Sequence, residues 1–391
     1  MAGLRPSPIA QALGMAARGG TVSLAAGAPA AEALPDDETR SLLDGVLSRP
    51  GALQYGETAG LPALREWIAT DTARRTGRPV TARQVVVVHG SQQGFDLVCR
   101  AVLEPGDTVL VDRPSYSGVL QLLGLHRARV IDVPIAADPE LTALDRALAR
   151  EPVRMIYTVP TYANPTGDTL SRLQRAVLAR LADRHGVLVV EDDPYRDLGF
   201  TPGAADLPPV AAGCDRVVTL GSFSKTLSPA ARTGYVVVPE ALATPLHRLK
   251  EAADLGNSTL SQLLVHSMVS DPARLAHRLE RLRRIYRERR DILDDALRTH
   301  LGDELTYQRP GGGFFVWARL ADGRDAGALL SDAVAEGVAY VPGAAFYARD
   351  PDPATLRLSY SAPSRDQLAK GCSRLARALC RSRTAVPRGT G

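Results

Sequence analysis

The sequence predicts an α/β fold, a mostly parallel sheet between helices, with a second and smaller α+β domain attached. Two patterns and the length point there. Short continuous apolar runs, rich in valine and bounded by Gly, Pro and Asp, recur between about residues 45 and 290, as strands buried on both faces do. Helical patterns separate them, and strand–helix alternation argues for a parallel sheet covered on both sides. At roughly 100–200 residues per domain, a chain of 391 residues has room for a companion domain.

The first run is Gln84–His89, closed by Gly90, and a helical pattern over Gln92–Val102 follows it. Thr108–Asp112 is the second strand and Val153–Val159 the third, with a helix expected over Leu170–His185. Gly186–Glu191, Arg216–Leu220 and Gly234–Val238 complete the set, and Pro239–Ala253 reads as a helix after the last. From Pro272 to about Leu301 the chain is charged, but Leu275, Leu279, Leu282, Ile285, Ile292, Leu293 and Leu297 keep helical spacing. That predicts a long amphipathic helix leading out of a large domain, 45–290, into a small one, 291–380. The small domain is expected to hold strand Gly313–Ala318, helix Ala326–Glu336, strands Val338–Val341 and Thr355–Tyr360, and a last helix from Ser364. Residues 381–391 lack an apolar period and are expected to form a disordered tail.

Composition narrows the class. With 45% apolar and 23% charged residues the chain is globular, not disordered, collagenous or a disulfide-stapled miniprotein. No run of about 18 apolar residues suggests a membrane-spanning helix. Met1–Gln11 lacks the charged-then-apolar order of a signal peptide. A net charge of 47 − 43 = +4 gives no reason to expect a nucleic-acid partner. Cys99, Cys214, Cys372 and Cys380 form no C-x-x-C pair, and His247, His266 and His277 stand at no ligand spacing with them. No metal is expected; the thiols read as small buried apolar groups, and a reducing, cytoplasmic setting fits. Lysine occurs only at 225, 250 and 370, the other 47 − 3 = 44 basic residues being arginine. Any chemistry that needs a primary amine has three candidates.

One of them stands in Ser222-Phe-Ser-Lys225-Thr-Leu-Ser-Pro-Ala-Ala-Arg232, a loop after a strand. Hydroxyls and a guanidinium suit a phosphate, and a lysine beside them suits a Schiff base with an aldehyde; a polar loop with an exposed lysine is the plainer alternative. His89-Gly90-Ser91-Gln92-Gln93-Gly94 ends a strand and opens a helix, where free N–H groups and the helix dipole favour an anion. Asn164-Pro-Thr-Gly167 is by composition a turn. Glu191-Asp192-Asp193-Pro194-Tyr195 puts paired acids at a strand end, as a helix cap or a metal-ligand pair would.

Together these segments resemble the fold-type I pyridoxal-phosphate enzymes, class I/II aminotransferases. Within that group the chain is most similar to the branch of 2-aminoadipate and aromatic aminotransferases and of the aminotransferase-like domains of bacterial transcription regulators. The likeness runs from about Thr21 to Arg377. It rests on Tyr55-Gly56 with Gly60-Leu61, Gly90-Ser-Gln-Gln93, Pro114-Ser-Tyr116, Asn164-Pro-Thr-Gly167, Asp192-x-x-Tyr195, Ser222-x-Ser-Lys225, Arg232 and Arg357. The resemblance implies a sheet of the seven-stranded type and a homodimer with shared active sites. It makes residues 1–44 an arm joining the small domain and the substrate pocket, with a helix over Pro6–Arg18. It implies pyridoxal 5'-phosphate bound covalently through Lys225, which then moves the substrate's Cα proton. Asp192 is expected at the pyridine nitrogen. Asn164 and Tyr195 are expected at the ring's phenolate oxygen, and Tyr116 stacked on the ring. Ser91, Gln92, Ser222, Ser224 and Arg232 are expected on the phosphate, with Tyr55 reaching in from the partner. Arg357 is expected to clamp the substrate α-carboxylate, helped by Asn164 and the backbone at Gly27. Ala26-Gly27-Ala28-Pro29, Leu34-Pro35, Pro229-Ala230 and Ala163 depart from the family pattern, the first two where the side-chain pocket is built.

The function expected is transfer of an amino group from an L-amino acid to 2-oxoglutarate or pyruvate by a ping-pong course. A lyase, decarboxylase, cyclase or oxidase of the same fold is the alternative, because similar residues serve those reactions. An effector-binding module of a transcription regulator is disfavoured, since the pattern begins by Thr21 with no basic recognition helix ahead of it.

Overall fold

The computed structural model describes Gly14 and residues 20–34, 37–201 and 206–384. In chain order its strands are β1 (Val22–Ser23), β2 (Val85–Val88), β3 (Thr108–Asp112), β4 (Arg129–Val133), β5 (Val153–Thr158), β6 (Leu188–Asp192), β7 (Val217–Ser222), β8 (Gly234–Val237), β9 (Leu305–Tyr307), β10 (Phe315–Leu320), β11 (Val338–Ala339), β12 (Val341–Pro342) and β13 (Thr355–Ser359). Seven of them form one sheet in the order β2-β8-β7-β6-β5-β3-β4. Only β8 runs antiparallel to its neighbours there.

The valine-rich runs become these strands because the sheet is covered on both faces. Val109 and Val111 pack into one cluster while Leu110, between them, packs into the other. The same alternation puts Val190 and Val218 on the first face and Val189 and Val217 on the second. Helices Ser91–Val102, Arg172–His185 and Glu240–Asp254 lie where helical spacing places them. Ser171 and Gln174 close the second of these with a reciprocal capping box, and Gly186 ends it at φ 67°. β4 escapes the apolar-run pattern because it is an edge strand: Arg129 and Asp132 interrupt it, and only Val133 is buried. Helices Asp37–Leu47, Pro62–Thr76, Ser117–Leu125, Thr142–Arg150 and Thr259–Val269 likewise go beyond the sequence reading.

From the long helix after residue 271 the chain builds a second unit. Helix Pro272–Leu301 is one 30-residue element, opened by Asp271, whose carboxylate accepts the N–H groups of Ala273 and Arg274. The four-stranded antiparallel sheet β12-β13-β10-β9 packs with that helix and with helix Arg365–Thr384 around Phe314, Val316, Leu356, Leu358 and Leu375. β1 pairs with β11, so the chain near Val22 is part of this unit. The last helix runs to Thr384, four residues into the expected tail; the remainder of the tail, Pro35, and the Pro6–Arg18 helix apart from Gly14 lie outside the described residues. Cys99, Cys214 and Cys372 are buried as expected, but Cys380 is exposed on the last helix. Among the described residues no helix is long and apolar enough to cross a membrane.

Candidate active site

The parallel strands deliver their C-terminal ends to one crevice, the place where ligands bind in open α/β sheets. β2 ends at the Gly90 turn, β3 leads to Tyr116, β5 to Asn164, β6 ends on Asp192, and β7 leads into Lys225. β8 starts at that same end because it is antiparallel, which brings in Arg232 just before it. A cavity of about 410 Å³ lies there. Twelve of the thirteen residues expected in a site line it: Gly27, Ser91, Gln92, Tyr116, Asn164, Asp192, Tyr195, Ser222, Ser224, Lys225, Arg232 and Arg357. The thirteenth, Tyr55, is 87% exposed and does not line the cavity of its own chain.

Among the described residues Lys225 is the lysine that lines the cavity. Its Nζ donates to Gly27 O at 3.0 Å and lies 5.7 Å from the Phe314 ring centroid. Among the described residues no carboxylate pairs with it. Burial, with the positive charges of Arg357 and Arg232, pulls its pKa down to about 8. Roughly a tenth of the amine is therefore free at pH 7, hundreds of times more than for an ordinary lysine.

Asp192 lies opposite in character. Burial pushes its carboxyl up to about 7, and the Tyr157 hydroxyl, donating to Oδ2 at 2.8 Å, pulls partly the other way. Its Oδ1 is buried without a partner among the described residues. An unpaired buried acceptor costs free energy unless a donor arrives, so this oxygen suits a protonated ring nitrogen. Tyr157 was missed by the sequence reading. Its signal was a phenol in the buried half of β5, beside Thr158 and one strand over from Asp192.

Arg357 comes from the small domain. Its guanidinium is fully buried between the Phe315 and Phe346 rings, at 4.2 and 5.0 Å from their centroids. Nη1 donates to Asn164 Oδ1 and Nη2 to Ala25 O, both at 2.7 Å, while Nε has no partner among the described residues. Burial lowers its pKa to about 10 and leaves it cationic at neutral pH. Asn164, with its amide oxygen taken by Arg357, keeps its amide N–H groups to offer. The Tyr195 ring stands edge-on to Phe314 and Phe315.

The anion end of the cavity is built by close approach. Gly90 has φ +89°, and a Cβ there would meet Arg232 Nη2 at 3.2 Å. Gly234 packs so tightly that its Cβ would lie 2.7 Å from Gly221 O and 2.8 Å from Gly90 Cα. Arg232 itself holds φ 46°, with Nη2 donating to His89 O at 2.8 Å. Helix Ser91–Val102 begins at this turn, and its first N–H groups have no helical partner.

An aldehyde carrying a pyridine nitrogen and a phosphate thus finds an amine, an unpaired carboxylate oxygen and an anion cup in one cavity. The residues present fit pyridoxal phosphate.

Comparison with known proteins agrees. The family model described as "Aminotransferase class I and II" matches residues 19–375. A 2-aminoadipate transaminase of Thermus thermophilus is 39% identical over 96% of this chain and 94% of its own length. A solved alpha-aminoadipate aminotransferase of the same species, complexed with N-(5'-phosphopyridoxyl)-L-leucine, superposes with a TM-score of 0.86 at 38% identity, covering 98% of this chain and 96% of the other. The Pyrococcus horikoshii kynurenine aminotransferase, in complex with PMP, gives a TM-score of 0.90 at 31% identity over 97% and 96%.

Proposed function

The chain belongs to the class I and II aminotransferases, and we propose that it does their chemistry with Lys225 as the amine, Asp192 at the pyridine nitrogen and Arg357 on the substrate α-carboxylate. It is a pyridoxal-phosphate-dependent transferase that moves an amino group from an amino acid to a 2-oxo acid. When bound, the cofactor supplies an aldehyde that condenses with amines and a ring that takes up the electrons left when the Cα proton departs.

The observation that carries the residue roles is the shared cavity of Lys225 and a buried, cationic Arg357 whose Nε has no partner among the described residues. A guanidinium has five N–H donors and this one spends two on Asn164 and Ala25, leaving others for a carboxylate. Lys225, with no carboxylate partner among the described residues and with a lowered pKa, gives up its proton readily and can carry the Cα proton. Tyr195 and the Asn164 amide hold the ring oxygen, Tyr116 lies against the ring, and Ser91, Gln92, Ser222, Ser224 and Arg232 form the phosphate cup.

The donor we propose is an L-amino acid with a long side chain, 2-aminoadipate first among them because the 39% identical relative bears that name; the acceptor is 2-oxoglutarate or pyruvate. A screen of amino donors, each mixed stoichiometrically with holoenzyme, tests this. 2-Aminoadipate should convert the bound cofactor to its amine form faster than short donors such as alanine, and faster conversion by alanine would overturn it.

We further propose a homodimer working in the cytoplasm. Tyr55, at 87% exposed, sits with Leu53 and Leu255, at 79% and 59%, among the exposed large apolar side chains. Thr259 Oγ1 donates to Gln54 O, which ties the Leu53–Tyr55 and Leu255 segments together. Such a patch suits a second copy of the chain, with Tyr55 reaching the partner's phosphate. Mixing Lys225→Ala protein with an inactive Tyr55 variant should restore some activity in hybrid dimers. No recovery, with subunit exchange verified, would mean that each site is built from one chain.

A further inference from the structure

We propose that the buried Lys250–Asp254 pair is the positioning element of the phosphate cup, acting through Gln93 and His89. The inference rests on the cup assigned above.

Lys250 is one of three lysines in the chain and is 0% exposed. A buried ammonium persists only when it is paired and hydrogen-bonded. Its Nζ donates to both oxygens of Asp254, at 2.6 and 2.7 Å, and to Gln93 Oε1 at 3.3 Å. Gln93 Nε2 donates to Asp254 Oδ2 at 2.5 Å. Both ends of the Gln93 amide are thereby held. An i,i+4 pair that only fastened its own helix, Glu240–Asp254, would need neither burial nor partners outside that helix. Here the partners outside it belong to the turn beneath the cup.

His89 is where the cluster meets the cup. Its backbone N–H donates to Gln93 Oε1 at 2.8 Å. Its ring Nε2 lies 3.4 Å from Asp254 Oδ2, and its Nδ1 lies 3.3 Å from Asn257 Nδ2. Its carbonyl accepts Arg232 Nη2 at 2.8 Å. Three separate groups of one residue are therefore fixed, the first two by the buried cluster and the third by the arginine of the cup. Gly90, Ser91 and Gln92 follow His89 directly, so holding His89 sets where their donors point. A dianion gains most from donors already in place, because nothing then has to be ordered on binding.

The test compares two ligands on full-length apoprotein by equilibrium dialysis: pyridoxal phosphate, and pyridoxal, which has the same ring and aldehyde and no phosphate. In Lys250→Met the affinity for pyridoxal phosphate should fall about tenfold while that for pyridoxal stays within about twofold. An unchanged ratio overturns the proposal. So does an equal loss for both ligands, which marks a role in folding alone. Should Lys250→Met fail to fold, Gln93→Ala leaves the ion pair whole and carries the same expectation and the same overturning results. Arg232→Gln runs alongside. If it leaves the ratio unchanged, the cup itself is misassigned; if it lowers the ratio and Lys250→Met does not, only the positioning role fails.

Discussion

Asp192 and Asp193 are neighbours in sequence and lie in opposite surroundings. Asp192 faces the cavity, with the Tyr157 hydroxyl at 2.8 Å and an unpaired Oδ1. Asp193 points behind the strand end into a small chamber, where Arg196 Nε donates to its Oδ2 at 2.5 Å and where Glu191, Arg75 and Asp197 also lie; its own Oδ1 has no partner among the described residues, so the contrast is one of charge. Lys225 and Lys250 repeat the contrast. Among the described residues Lys225 donates only to a carbonyl, whereas Lys250 donates to both oxygens of a carboxylate. All four side chains are largely withdrawn from water. What separates Asp192 and Lys225 from Asp193 and Lys250 is that, among the described residues, no opposite charge lies within bonding distance of the first two, which leaves each ready for a group that arrives later.

The largest effect should come from Lys225→Ala. Turnover should fall by about 10⁴-fold or more, since no other amine lines the cavity among the described residues. Borohydride reduction and peptide mapping of the parent protein should place the cofactor on Lys225; finding it on Lys250 would break the contrast between the two lysines.

Next, Asp192→Asn should keep the cofactor bound yet slow the half-reaction on the order of 10³-fold, the equivalent of about 4 kcal/mol lost at the transition state. Asp193→Asn should do the reverse. It weakens a buried ion pair with Arg196, costing about 2–4 kcal/mol of stability, while the half-reaction stays within about tenfold. Single-turnover rates and thermal melts on both variants decide the matter, and exchanged phenotypes would reverse the assignment.

A smaller effect, about tenfold, is expected from Tyr157→Phe, which removes a hydrogen bond to a carboxylate and nothing else. Losing that donor destabilises the ionised form, so the carboxyl pKa rises. The acid limb of the pH–rate profile should then move to higher pH by about one unit per 1.4 kcal/mol. A lower rate with an unmoved limb would leave Tyr157 a packing residue.

The smallest change is one of pH alone. Lys225 is protonated below its pKa of about 8 and free above it. Covalent capture of pyridoxal phosphate by the apoprotein should therefore speed up with pH to about 8 and level off beyond. A rise continuing past 10 would mean an ordinary lysine.

How much of this could be read from the sequence differs residue by residue. Lys225 stood out by scarcity and by its Ser/Ser/Arg company, and the β6 and β7 strands by continuous apolar runs. Tyr157 was hidden because a tyrosine in a buried strand is ordinary core until its hydroxyl is seen to meet Asp192. The Lys250–Asp254–Gln93–His89 cluster was hidden for a similar reason: its members span 166 positions of chain, 89 to 254, and look like surface residues of two helices. β4 was missed because an edge strand carries polar residues on its open side.

Strand and helix alternation, the family likeness and the residue types proposed for the chemistry are all legible in the sequence, because periodicity and residue type are local properties. The tertiary structure alone decided which of those groups stand unpaired. That depends on what the fold brings within about 3 Å of each buried charge: among the described residues, Tyr157 and no cation for Asp192, a carbonyl and no carboxylate for Lys225, and Asn164 with Ala25 for Arg357.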